Sequence, residues 1–430
     1  MIIKKKISGW GRYPVSNSNI IRPKNIQECR NTLNKILIPR GMGRSYGDSA
    51  INNTVLETNY LDNLLNLNEV NGILTCSSGL SLNDILNFIV PKGWFIPVSP
   101  GTSYATIGGA IASDVHGKNH HHSGTLGKYV LSIKLMLGNG EVVEINQNYL
   151  SDLFYATCGG MGLTGLILEA SLKLLPIKSS KINQTKIRSR SLEETCDIFK
   201  ENEKSTYSVA WLDCLGNESS KGKGIIILGE HDKNSDLKLI KNKNFNIGIN
   251  FPSFFINKFF ISIFNKINHA SCNNNSKKVD LFSYFYPLDK ITNWNRLYGK
   301  KGFIQYQFVI PADGAVKNIK LILKKFTKLE MYPILSVLKK FGKQNKNLLS
   351  FPMMGYTLAL DFKYSNDISK KINQVDEIVA DMGGKIYLTK DALMSEKIFK
   401  KTYKKWEEFE TIREKYGALN KFQSYQSIRL

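Results

Sequence analysis

At 430 residues, with 59 Lys+Arg against 36 Asp+Glu for a formal charge of +23 and 42% hydrophobic residues, the chain has the composition of a folded protein. At roughly 100 to 200 residues per domain this length implies about two or three packed domains, which excludes a single small binding module. The lysines are spread along a chain also rich in Asn and Ile, so the charge reads as a solvated basic surface, or as attraction to an anionic membrane or phosphorylated substrate, and no nucleic-acid partner is expected.

Six cysteines (Cys29, Cys76, Cys158, Cys196, Cys214, Cys272) are scattered without a C-x-x-C pair and read as buried or idle thiols of a reducing compartment. The first residues, Met1 to Lys6, lack the apolar core of a secretory signal, and no run approaches ~18 apolar residues. A cytoplasmic protein is expected, touching a membrane at most peripherally on its inner face.

Between residues 34 and 175 short apolar runs alternate with Gly-rich turns. Runs at 36–39, 54–57, 72–76, 133–137 and 165–170 predict strands, and 81–89 predicts a helix with Ser81 as its N-cap and Asp84 in its first turn. These strands lie too close together for a regular β-α-β dinucleotide fold, so the region is α+β. After Pro176 longer alternating strands (207–212, 225–228, 303–310) and amphipathic helices (316–329, 367–382) predict a second domain, an antiparallel sheet with helices on one face. Residues 232–280 are Lys/Asn-rich around the aromatic cluster Phe251 to Ile261, which reads either as a helix packed on that domain or as a mobile, membrane-seeking flap.

Two Gly-rich segments carry the chemistry. The first, Arg40-Gly41-Met42-Gly43-Arg44-Ser45-Tyr46-Gly47-Asp48, follows a predicted strand and is suited to aiming backbone N–H groups at an anion. Its G-x-G-x-x-x-G spacing, with no helix following, fails as a dinucleotide fingerprint. The second runs from Pro100 to Gly124, and small residues with recurring hydroxyls fill nearly every position that would face a bound ring or pyrophosphate. Two such segments about 60 residues apart suit one large phosphate-bearing cofactor. Gln305 and Gln307 lie two apart on a predicted strand, so both side chains share one face and suit either sugar hydroxyls or a role as cross-strand structural amides. His120, His121 and His122 are adjacent and lack a carboxylate pattern, so no metal is expected.

The pairing of R-G-M-G-R-S-Y-G-D with P-G-T-x-x-x-T-I-G-G-A-I-A-S-D-V-H-G-K-N-H-H, then G-G-M-G-L-T-G at 159–165, resembles the vanillyl-alcohol-oxidase-like, PCMH-type FAD-binding flavoproteins. Within them it is most similar to the decaprenylphosphoryl-β-D-ribose 2'-oxidase family. The resemblance continues through 284–289, 294–296, 305–311 and 387–391, nearly the whole chain. It implies a PCMH-type FAD domain of two subdomains over 1–178, a substrate domain over 179–384 with a flexible 232–280 segment, and a 385–430 segment returning to the FAD domain.

For the cofactor, the resemblance implies that FAD is held non-covalently by Arg40 to Gly47, by Gly101, Thr102, Thr106, Gly108, Gly109, Ala112, Ser113, His116 and Gly117, and by Gly162, Gly165 and Tyr387. A histidine in the first loop tethers the flavin in some relatives; here Arg44 stands near that place. Lys390 would act as base or polarising group with His116, Gln305 and Gln307, while Lys118, Tyr46, Phe285 and Thr357 would meet the substrate. The activity implied is oxidation of the 2'-hydroxyl of a polyprenyl-phosphoryl pentose, completed as an epimerisation by an NAD(P)H-dependent short-chain reductase. A dioxygen-using sugar-lactone or alditol oxidase is the alternative, and a membrane- or nucleic-acid-binding protein that has lost its chemistry is the rival outside enzymes. Mycobacterial-type relatives carry a cysteine, the site of covalent inhibitor attack, where Ala359 stands here. Phe285 and Tyr286 replace a frequent Tyr-His, so the lipid or the sugar would differ too.

Overall fold

The computed structural model describes residues 2–216, 221–240, 244–252 and 256–430. The expected strands begin with a hairpin that the sequence pattern did not predict. Ile2–Ser8 pairs antiparallel with Val15–Ile21, its exposed lysines blunting the free edge, and the sheet continues in parallel through Thr54–Glu57 to Ile38–Arg40. A second sheet, antiparallel throughout, runs in the order Leu64–Asn68, Ile73–Ser77, Leu166–Lys173, Val130–Met136, Val142–Ile145.

Two helices of this half bear on the sequence reading. Leu82–Ile89 starts where expected, Ser81 Oγ accepting from Asp84 N at 3.1 Å, and buries Leu82, Ile85, Leu86 and Ile89 at the i, i+3, i+4, i+7 spacing of one face. Ile107–Ala112 is capped by Thr106 in the same way.

The second domain is an eight-stranded sheet in the order Asn275–Asp280, Lys181–Ser189, Lys223–His231, Tyr207–Asp213, Ser336–Phe341, Gly355–Lys363, Phe303–Pro311, Lys385–Ile386. Helices Leu192–Glu201, Ala315–Lys328 and Ile368–Asp381 cover one face. Phe326 packs between Tyr306 and Phe362 at 5.7 and 4.9 Å, and Phe199 meets Tyr356 at 6.3 Å. Each such buried ring contributes about 1.5–3 kcal/mol. Because strand side chains alternate, the residues between these, Gln305, Gln307, Thr357, Ala359, Val337 and Lys339, turn to the opposite face, which fronts the first domain.

Within 232–280, Phe245–Asn246 pairs with Ile291–Thr292 and a helix spans Lys258–Ala270; Phe254 and Phe255 of the aromatic cluster lie outside the described residues. No helix among the described residues is long and apolar enough to cross a membrane. All six cysteines are free and buried.

Two carboxylates tie the halves together. Asp114, in a left-handed conformation at φ 39°, accepts from Gly127 N (3.0 Å), Asn345 Nδ2 (2.6 Å), Asn347 Nδ2 (2.8 Å) and Ser350 Oγ (2.7 Å). After Lys385–Ile386 the chain turns through Tyr387–Asp391 and returns to the first domain, where Gln423 N donates to Leu37 O. There Arg429 Nη2 donates to Asp48 at 2.8 Å and to Asp391 at 2.9 Å, joining the first glycine loop to the turn.

Removing a buried carboxylate with four donors takes an acceptor from each of them, and of the four Asn345 Nδ2 keeps another, Thr125 Oγ1 at 2.7 Å. Asp114→Ala is expected to cost about 3 kcal/mol or more in denaturant unfolding, and Asp114→Asn, which keeps one acceptor oxygen, markedly less.

Candidate active site

The two glycine loops, the turn at 387–390 and the uncovered face of the large sheet enclose a cavity of about 660 Å³, within the range of cofactor pockets. Gly43 sits at φ 63°, and a Cβ at Gly41 would lie 2.2 Å from Thr106 Oγ1, so the backbone of the first loop packs directly on the Thr106 side chain of the second. Arg40 spans its own loop, donating to Ala50 O at 3.0 Å and to Ser8 O at 2.7 Å. The Arg44 guanidinium lies over Trp10 (4.2 Å) and Tyr104 (5.2 Å), its affinity for the proton lowered by burial and partly restored by Asp289. Asp289 in turn holds the second loop, accepting from Thr102 Oγ1, Ser103 N and Ser103 Oγ at 2.7, 2.7 and 2.8 Å.

On the sheet side, register sets the partners. Gln305 faces Asp361 across the antiparallel pair and donates to it at 2.6 Å, while Tyr298 OH donates to its other oxygen at 2.8 Å. Burial raises the Asp361 carboxyl to about 6, opposed by these two hydrogen bonds and by the Lys390 charge. Gln307 Nε2 donates to Thr357 Oγ1 at 3.1 Å and to His116 Nε2 at 3.2 Å. Thr357 Oγ1 in turn donates a hydrogen bond to Phe308 O at 2.8 Å. His116 is enclosed by Phe341, Phe351 and Tyr387, and burial holds it neutral by pushing its pKa well below the usual value.

Lys390 Nζ sits 3.7 Å from the centroid of the Tyr46 ring. Burial lowers it to about 7, Asp361 pulling it up and Lys339 pushing it further down. Lys118 is likewise lowered to about 7 and Lys339 to about 8, in both cases mainly by burial. The Lys118 ammonium donates to the carbonyls of Tyr284 and Phe285 and lies over both rings. Phe285 packs against Phe95 and Tyr207 at 4.9 and 4.8 Å, so it floors the cavity as part of the core. Tyr387 stacks on Phe351 at 4.6 Å and donates to Ser113 O at 3.2 Å.

With one exception, every residue singled out in the sequence lines this cavity, from Arg40 to Tyr46, through Gly101 to Lys118, to Gly162, Gly165, Gln305, Gln307, Thr357, Tyr387 and Lys390. The exception is Gly47. A Cβ there would fall 1.8 Å from Asp391 O, so this glycine serves the close passage of loop and turn and is no part of the lining. Lys339, Asp361 and Asp289 were missed as site residues. Lys339 carried a faint signal, a lysine at an alternate position of the apolar strand 336–341.

The cavity also has the unmet hydrogen-bonding groups expected of a ligand site. Arg44 Nε, Ser78 Oγ, His116 Nδ1 and Tyr284 OH are buried without a partner, and all four belong to lining residues. Donors and acceptors among small residues, in a space of this size, fit a flavin dinucleotide.

Comparison with known proteins agrees. Residues 18–146 match the FAD binding domain family. Over 99% of this chain and 97% of the other, the sequence is 32% identical to decaprenylphosphoryl-beta-D-ribose oxidase of Mycolicibacterium smegmatis. The chain belongs to the decaprenylphosphoryl-beta-D-ribose oxidase family. As a member of it, the protein is an FAD-dependent oxidoreductase with an α+β, PCMH-type cofactor domain. Other relatives include proteins that match less than half of the chain. D-2-hydroxyglutarate dehydrogenase of Arabidopsis thaliana is 24% identical over 40% of it and 33% of its own length, and a putative D-arabinono-1,4-lactone oxidase of Neurospora crassa 22% over 44% and 34%.

His120–Ser123 form a helical turn in which His120 Nδ1 accepts from Gly342 N and His121 Nε2 meets Ser205 O. Among the described residues no group of three or more His, Cys, Asp or Glu is placed to hold a metal ion.

Asp361 is the counter-charge of Lys390, so Asp361→Asn is expected to lower the pKa of that amine below about 7. The measurement is the pH dependence of Lys390 acylation by a small amine reagent, read by mass spectrometry, whose midpoint moves to lower pH in the variant.

Proposed function

We propose that the protein oxidises the 2'-hydroxyl of a polyprenyl-phosphoryl pentose, a ribose, to the 2'-keto sugar, and that a partner NAD(P)H-dependent short-chain reductase completes an epimerisation. The observation carrying this reading is the charge of the cavity wall. Among the described lining residues stand five lysines, Lys118, Lys186, Lys277, Lys339 and Lys390, against the single carboxylate Asp289. Lys186 and Lys277 belong to strands at the sheet edge opposite Lys390, well placed for an anionic group on the substrate beyond the cofactor's own phosphates. A neutral lactone or alditol has no use for them. The relative that shares nearly the whole chain is named for a lipid-linked, phosphorylated ribose, whereas the lactone oxidase shares less than half.

When bound, FAD supplies the hydride acceptor. The chain's own groups do the rest. Lys390, a neutral amine above about pH 7, takes the proton of the reacting hydroxyl. Gln307 spends both amide hydrogens on His116 and Thr357, so its carbonyl oxygen is left to accept from a sugar hydroxyl. Gln305 is set the same way by Asp361. Lys118, Tyr46, Phe285 and Thr357 form the substrate wall, and the glycine loops with Tyr387 hold the cofactor without a covalent tether, Arg44 standing where some relatives place a histidine. The reading places the protein in the cytoplasm, in peripheral contact with the membrane that holds the lipid.

Anaerobic mixing with a short-chain prenyl-phosphoryl ribose is expected to bleach the flavin, at a rate that rises with pH and levels off above about 7 as Lys390 loses its proton. Lys390→Ala is expected to retain FAD and slow bleaching by about 100-fold or more. Oxidation of free lactones with rapid peroxide release, and none of the prenyl-phosphoryl sugar, would replace this reading with the lactone oxidase.

A further inference from the structure

The helix Lys258–Ala270 is mounted with its apolar side outward. Polar side chains fasten it to the sheet: Asn265 Nδ2 donates to Asp213 Oδ1 at 2.8 Å, and His269 Nε2 lies 3.0 Å from Ser189 O. Of its apolar residues only Ile261 is buried among the core. Phe259, Ile263, Phe264 and Ile267 recur at i, i+4, i+5 and i+8, one face of a helix, and are 68, 39, 59 and 62% exposed. A helix of a water-surrounded domain turns such a face to its core. This one turns it away.

Charge says what the face meets. From residue 258 to 279 the chain has four lysines, Lys258, Lys266, Lys277 and Lys278, and no Asp or Glu. Lys258 and Lys266 are exposed on the helix itself. The strand that follows, Asn275–Asp280, gives Lys277 and Val279 to the cavity wall, so the helix and the substrate cavity are continuous in the chain.

We infer that this helix is a docking surface for an anionic lipid bilayer, with Phe259, Phe264 and Ile267 entering the acyl boundary and the lysines resting among the headgroups. An apolar face flanked on its own helix by Lys258 and Lys266, with no acidic residue in that helix, is the composition of an interfacial helix. A second copy fits poorly, since a two-fold contact sets one lysine rim against the other. The inference rests on the lipid-linked substrate reading, because docking delivers that lipid to the cavity without extracting its chain far into water.

The test is cosedimentation of the FAD-loaded full chain with vesicles of phosphatidylcholine alone or mixed with phosphatidylglycerol. Expected is binding at least about tenfold tighter to the mixed vesicles, weakening with added salt. The triple variant Phe259→Ser/Phe264→Ser/Ile267→Ser loses binding about tenfold or more while its flavin absorbance and melting stay those of the parent, since these side chains are already in water. Turnover of a soluble short-chain analogue is unchanged in the variant. Absence of binding to mixed vesicles, equal binding to both kinds, or a triple variant that binds like the parent overturns the inference. So does a concentration-dependent dimer that the triple variant abolishes and vesicles do not compete with. If vesicles bind as expected but the analogue is not oxidised, the substrate reading fails and the docking surface stands.

Discussion

The site depends on the alternation of side chains along extended strands. One face of the eight-stranded sheet is covered by three helices, and the residues between the buried rings have only one other direction to go. That direction faces the FAD domain. The same constraint that drives Tyr306, Phe308, Leu358 and Leu360 into a core therefore lines up Gln305, Gln307, Thr357, Ala359, Val337 and Lys339 as a wall. Covering that wall with a second domain takes Lys118, Lys339 and Lys390 out of water, and the loss of hydration lowers their affinity for protons toward neutrality. Proton-transfer capacity is thus a by-product of how the two halves close.

Local signals were legible in the sequence. Ser81 announced its helix because an N-cap acts within three residues, and the first glycine loop announced itself because Gly41 and Gly43 leave no room for a Cβ beside the Thr106 and Arg40 side chains and Gly43 has a positive φ. The glutamine pair was readable for the same reason, two residues on one strand sharing a face. The amphipathic stretches read at 316–329 and 367–382 correspond to helices Ala315–Lys328 and Ile368–Asp381, because their periodicity is set by the face they bury.

What stayed hidden is whatever depends on pairing between distant segments. That Gln305 faces Asp361 is a matter of register, fixed by the summed packing of Phe303–Pro311 on Gly355–Lys363, and no short stretch contains it. Asp289 and Thr102 are 187 residues apart. The hairpin at Ile2–Ser8 was obscured by lysines that suit a solvated edge strand but spoil an apolar run. The packing of Gly47 against Asp391 was hidden for a related reason, since that neighbour arrives from far along the chain.

Arg429 joins Asp48 and Asp391 across nearly the full length of the polypeptide. In a growing chain, then, this ion-paired link between the first glycine loop and the lysine-bearing turn becomes available only after both segments have been translated.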